Sequence, residues 1–490
     1  MHQAMAPRRS RGGWRLTLTL ALAAAFPLAA VGQSARKSAK DDEPKAKTSK
    51  AEDTAKDKDA KDKGDGGEAP APKADPDVYL DSRARDVMEN SFPELYKNEN
   101  IFGLDQVTKQ VLLMARGTQS YDRNMVARFL HQQSQRLTSH RNIEALMAPP
   151  SEVADKKIKP DVVQAIADAG TDLIDPIKAA TAVNNTTFKR DYTAALLDKD
   201  ILPKLLANHL FARTQAMLAL SQTGEPQALD TFIATIKDKD QPLSVKVLAV
   251  DGITNIARGG RRAVEPPQTA IKAAQALALF LSSEEVEPFW PAQSHALQGL
   301  GSLRLSTVDQ NSGKFELAAL AESYLADTKR HPEVRANAAW ALGMMRIIGE
   351  KDRQFNYPLI AHDMGDLAAD LGDRALAANV VALKSKDPTD VADYLTGLLV
   401  YQVSYGLNRD PEIPNSGLVN AQAISLKDKS AAQAIMKSVQ AVAAAAVELH
   451  RAAGAQAPGA QKAMEARIKE LKATLAKNAP AKRDLVLASP

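Results

Sequence analysis

Apolar positions recur at helical spacing through most of this chain. Val107, Val111 and Met114 fall three and four residues apart, and Met125 and Phe129 do the same. Asp105 and Asp122 stand just ahead of these runs, where helices start. The pattern predicts helices over 105–118, 122–137, 160–168 and 191–206, with breaks at Pro149-Pro150 and Asn184-Asn185. Asp77 is expected to cap a further helical stretch from Val78 onward. Strand-like runs of Val, Ile, Thr and Tyr are nearly absent, so the chain reads as all-α.

A shorter pattern repeats in the middle. It is clearest at Pro332-Glu333-Val334-Arg335-Ala336-Asn337-Ala338-Ala339-Trp340-Ala341-Leu342-Gly343. Val334, Ala338, Ala341, Leu342 and Met345 share one helix face, and its alanines admit a close partner helix. Looser copies open at Ala212-Arg213, Val245-Lys246, Ala292-Gln293 and Asp373-Arg374. Their third positions are 33, 47, 42 and 39 residues apart, the period of two-helix repeats. Partner helices are predicted at 271–281, 315–326 and 358–371. One such pair cannot bury both its faces, whereas a stack can.

The spelling at 332–343 resembles the HEAT repeat in its short bacterial variety. The resemblance covers about 190 residues and is clearest in that copy. With the N-terminal features below, the whole chain resembles exported HEAT-repeat proteins of unknown function, of the planctomycete type. That resemblance implies an armadillo-type α-solenoid with a concave binding surface and no activity of its own. The array is expected over 201–400, behind an N-terminal helical capping section over 78–200.

The N-terminus reads as an export signal. Arg8, Arg9, Arg11 and Arg15 form a basic region, and Leu16 to Val31 is apolar. Ala30-Val31-Gly32 offers small residues for cleavage before Gln33. Residues 1–32 are therefore expected to be a signal peptide, and the mature protein to lie in the periplasm or cell envelope without an integral membrane span. Residues 33–77 are a Lys/Asp/Ala-rich linker with no aromatic, expected to be disordered. The chain carries 63 basic and 59 acidic residues, a formal charge of +4. The four signal-region arginines account for that excess, so the basic balance gives no case for a nucleic-acid partner. Absence of cysteine excludes disulfides, thiolate metal sites and thiol nucleophiles.

The C-terminal part differs from the repeats. Residues 401–429 are expected to be a loop, 430–478 to form helices, and 479–490 a tail. Met464, Ile468, Leu471 and Leu475 make one apolar stripe that fits either a capping hairpin or a coiled-coil homodimer.

Candidate chemistry is sparse. The stripe facing away from each repeat core holds Thr214, Leu218, Val247, Asp251, Ser294, Gln298, Trp340 and Asn379. From it Trp340, Leu218, Asp251, Gln298 and Asn379 are the expected contacts to a protein partner, with Trp340 either exposed as a hot spot or covered by a helix near 355–371. Arg258, Arg261 and Arg262 flank a Gly-Gly turn and can grip an anion. His362, Asp363, Asp366 and Asp370 form the most enzyme-like run, with His362, Asp363 and Asp366 the residues a metal-dependent hydrolase would use. Ile360, Met364, Leu367 and Leu371 make a core stripe that places this His/Asp face in solvent, and no second His-rich helix completes a site. The expectation is a scaffold that binds a protein of the cell envelope, with no catalysis, metal or cofactor. A hydrolase and a structural envelope component are the alternatives.

Overall fold

The computed structural model describes residues 104–138, 160–259, 267–309, 314–347, 354–385, 390–422, 424–452 and 456–486. The predicted signal peptide, the linker and residues 78–103 lie outside the described residues, as do Pro149-Pro150, Arg261, Arg262 and 487–490. Among the described residues the fold is all-helical, without a strand. No helix among them is long and apolar enough to cross a membrane.

Four helices form the N-terminal section: α1 Leu104–Ala115, α2 Arg123–Thr138, α3 Pro160–Ala182 and α4 Thr186–Leu196. Asp122 caps α2, its Oδ1 accepting from the amides of Asn124 and Met125. The helix predicted over 191–206 is instead two, α4 and the single turn α5 Leu202–Leu206. Asn185, not Asp191, starts α4. Its Oδ1 accepts from Phe188 N, and its Nδ2 donates to the last carbonyls of α1 at Met114 and Ala115.

The repeat copies at 212, 245, 292 and 334 each open a helix: α6 Leu210–Thr223, α8 Leu243–Arg258, α10 Trp290–Leu303 and α12 Pro332–Met344. Between them lie α7 Leu229–Lys237, α9 Pro267–Leu281 and α11 Glu316–Ala326. The contacts alternate regularly. Each of α6, α8 and α10 packs on the next of its kind, ending at α12, while α7, α9 and α11 each pack on the helix that follows. Every residue of α12 from Glu333 to Met344 is buried, as its small side chains require of a helix contacted on all sides.

The variable third position of the copies has one job. Arg213, Lys246, Gln293 and Arg335 are all buried, at 2%, 3%, 3% and 5% exposure. Arg213 donates to the Asn208 and Asp240 carbonyls, and Lys246 to the Glu285 carboxylate at 2.6 Å. Gln293 donates to the carbonyls of Val286 and Glu287, and Arg335 to that of Leu325 at 2.9 Å. Each side chain thus fastens one of these helices to a turn or helix end beside it.

The fifth copy departs from the expectation. Asp373-Arg374 does not open a helix but lies inside α13 Tyr357–Ser385. Gly372 alone does not break the helix; it lets Val442 and Ile468 approach its backbone. Arg374 is exposed and pairs with Asp370 one turn earlier at 2.9 Å, so the buried clamp is missing here.

After α13 come α14 Asp390–Gly397, a π-helical turn at Leu398–Val403 and α15 Ser404–Leu407. Next come α16 Leu426–Arg451 and α17 Ala457–Lys477, which pack on each other and on α13. Met464, Ile468, Leu471 and Leu475 are all buried within the chain. At roughly 1.5–3 kcal/mol each, that burial holds the hairpin in place and leaves this stripe unavailable for a coiled-coil homodimer.

Two helices are capped by histidines. His209 Nδ1 accepts from Ala212 N at the start of α6, while its Nε2 sits 2.8 Å from the Leu137 carbonyl. His331 Nδ1 accepts from Glu333 N at the start of α12. Both rings must be neutral to accept. Burial pushes His209 down to about 4 and also lowers His331. Because the folded pKa of His209 lies below its unfolded value, its contribution is complete near neutral pH and disappears as pH falls from about 6.5 to 4. Urea titrations across that window should show a loss on the order of 3 kcal/mol, and His209→Asn should flatten the pH dependence.

Candidate functional site

The predicted outward stripe becomes a cross-linked polar ridge along α8, α10 and α12. Asp251 Oδ1 lies 2.5 Å from His295 Nδ1. Gln298 donates to Asn337 Oδ1 at 3.1 Å, and Asn337 donates to Ser294 Oγ. Ser294 Oγ donates to Glu333 Oε1 at 3.1 Å, and the hydroxyl of Tyr394, on α14, donates to Glu333 Oε2. Ser294, Glu333 and Asn337 are buried, whereas Asp251, His295 and Gln298 stay half-buried at the surface. Burial opposes charge on His295, but the adjacent Asp251 carboxylate outweighs it and raises the pKa. Burial, then the Glu333 charge, raises that of Tyr394.

The other stripe residues are distributed unevenly. Thr214 and Leu218 are half-buried on α6, and Val247 is buried. Asn379 is half-buried on α13, with its Oδ1 enclosed and without a hydrogen-bond partner. His295, Glu333 and Tyr394 belong to the ridge although their sequence positions did not single them out. Tyr394 is 61 residues from the glutamate it meets, a pairing no local spacing encodes.

Trp340 is not an exposed hot spot. It is 6% exposed, and its Nε1 donates to Asp410 Oδ2 at 3.3 Å. The segment expected to be a free loop reaches over it. That segment is pinned at several points. Gly417 N donates to the Gly343 carbonyl at 2.8 Å, and Arg304 donates to the carbonyls of Pro414 and Asn415. Asp410 N donates to Ser416 Oγ, and both residues are buried. The backbones of Gly343 and Gly406 meet so closely that a Cβ on either would enter the other strand of chain. Arg258 places its guanidinium 5.6 Å from the centre of the Trp340 ring and donates to Ser302 Oγ. Arg258 is exposed at the end of α8.

The His/Asp run also differs from expectation. His362 and Asp363 are buried, at 8% and 5% exposure, and only Asp366 is half-exposed. The face opposite the Ile360/Leu367 stripe is not solvent, because the chain returns there after α17. Asn356 N donates to the Leu485 carbonyl, and Arg483 Nη1 donates to Asp363 Oδ1 at 3.1 Å. His362 Nδ1 lies 3.2 Å from Asp366 Oδ2 and 3.5 Å from Asp363 Oδ1. The Asp363 carboxylate, then that of Asp366, pushes His362 up to about 9. Burial, then the Asp363 charge, raises Glu322 on α11. Asp370 faces elsewhere, pairing with Arg335 and Arg374.

Comparison with protein-family models, curated proteins and solved structures gives no match.

Gly343→Ala should push the 404–420 segment off α12. We expect a loss of about 1–3 kcal/mol and a red-shifted, more readily quenched Trp340 emission, read against a Trp340→Phe background. An unshifted spectrum would mean that the close Gly343–Gly406 approach does not hold the cover.

Proposed function

We propose that this chain is an exported scaffold of HEAT-like helical pairs that binds another protein of the cell envelope and performs no catalysis. The observation that carries the reading is the alternating contact order of α6 to α12, in which each repeat-opening helix packs on the next and on its own partner helix. Repeating pairs of this kind build an extended surface from equivalent positions. The binding face proposed is the one bearing Thr214, Leu218, Asp251, His295 and Gln298, each of which keeps part of its surface exposed. Its hydrogen bonds and the Asp251–His295 pair preset the geometry of these side chains, which lowers the ordering cost of association. Trp340 and Asn337, which are buried, have no direct part in it.

The hydrolase reading fares less well on access. A substrate would have to reach His362 and Asp363, which are almost wholly covered. A scaffold needs no such access. Two cavities among the described residues, of about 310 and 290 Å³, are lined by residues between Leu197 and Glu285 and include none of the His/Asp run.

Photo-crosslinking residues placed at Leu218 and Gln298 test the reading in envelope preparations. Both positions should trap the same protein, while exposed positions on α9 and α11 (Lys272 and Ser323) should not. Equal trapping from both sets, or none from Leu218 and Gln298, would contradict it.

A further inference from the structure

We propose that His362, Asp363 and Asp366 form a binding site for one divalent transition-metal ion of the zinc or manganese class. The three sit at i, i+1 and i+4 on α13, and one ligand atom from each lies within 4.8 Å of the others. The i, i+4 pair puts an imidazole and a carboxylate on one helix face, a spacing at which helices chelate metals.

The distances fit a coordination shell better than a hydrogen-bond network. An ion bound at about 2.0–2.2 Å holds neighbouring tetrahedral donors about 3.3 Å apart. His362 Nδ1 stands 3.2 Å from Asp366 Oδ2 and 3.5 Å from Asp363 Oδ1, the oxygen that Arg483 holds, in ion-pair range of both carboxylates but without hydrogen-bond geometry to either. A second buried atom beside it, Asp363 Oδ2, also lacks a partner. Two polar atoms without a well-formed hydrogen bond on adjacent residues, each more than nine-tenths buried, are costly in a folded chain. A cation between them would satisfy both.

The surrounding charge favours a dication. Once an incoming ion displaces the imidazole proton that the carboxylates otherwise hold, the two carboxylates outweigh the single guanidinium of Arg483. Arg483 takes Asp363 Oδ1 and leaves Oδ2 open, as a positioning residue for a metal-binding carboxylate would. One nitrogen and two carboxylate donors suit zinc, manganese or cobalt, and the imidazole disfavours calcium and magnesium. Asp366, the half-exposed member, provides the entry route, and water completes the shell. The ion would sit where α13 meets the returning chain at Arg483, so its effect is to fasten the C-terminal end of the fold. This is a structural role, independent of the scaffold reading.

The test uses the full chain, stripped with chelator and titrated with Zn²⁺ by calorimetry and with Co²⁺ by visible absorption. We expect saturation at micromolar metal, a ligand-field band from bound Co²⁺ and a higher melting temperature with Zn²⁺. His362→Gln and Asp366→Asn should each weaken this binding at least about tenfold, whereas His450→Gln, at an exposed histidine paired with Asp393, should leave it intact. Asp366→Asn replaces a half-exposed side chain and keeps the test valid if His362→Gln fails to fold. Absence of saturable binding, or binding that survives Asp366→Asn, would overturn the proposal and leave an imidazolium held between two carboxylates.

Discussion

The buried polar clamp near the start of α6, α8, α10 and α12 is the constraint on which the rest of the fold depends. Arg213, Lys246, Gln293 and Arg335 are enclosed, yet each keeps its polar head on a carbonyl or carboxylate of a neighbouring turn or helix end. A buried donor has few acceptable partners, and losing them costs more than the bond itself contributes. The clamp therefore sets where each helix sits against its neighbours, which apolar packing alone does less sharply. Burial of Ala338, Ala341 and Leu342 then supplies adhesion, and small side chains let the helices close up.

The same constraint explains where the regular pattern stops. At Asp373-Arg374 the third-position arginine is exposed and bound to its own helix, and there the pairs give way to the long α13 with its α16–α17 hairpin. The last repeat-opening helix, α12, lacks a following copy to cover it. The 398–420 segment supplies that cover, with Trp340 beneath it and the Gly343–Gly406 approach sealing the contact. The polar ridge follows from this stacking too. Residues at matching positions on successive helices come into register, so that Ser294 meets Glu333 and Gln298 meets Asn337, each pair 39 residues apart.

Local information in the chain located most of the helices but not all their bounds (the helix expected over 160–168 runs to Ala182, and that over 191–206 is two), and was poor for what covers them. The openings at 212, 245, 292 and 334 were legible because small residues and a third-position donor recur at intervals of 33, 47 and 42 residues. The break at Asn184-Asn185 was legible because a left-handed Asn184 and a capping Asn185 are what those residues do well. The burial of Trp340 was not, since its partner Asp410 is 70 residues away in a stretch rich in Asn, Pro and Gly that reads as free loop. The His362 face was misjudged for a related reason. An apolar stripe tells which side of a helix must be buried, not that the other side stays wet, and Arg483 arrives from 120 residues downstream. Ridge residues on the repeats themselves, Asp251 and Gln298, were found because they obey the helical angle, whereas Tyr394 obeys none.

The most direct test of the clamp is hydrogen exchange on Arg335→Met, which keeps the bulk of the side chain and removes its donors. If the clamp sets the docking of neighbouring helices, protection should fall together across α11 and α12 and extend into α10. Exchange that changes only within a turn of residue 335, or not at all, would show that apolar packing positions these helices unaided.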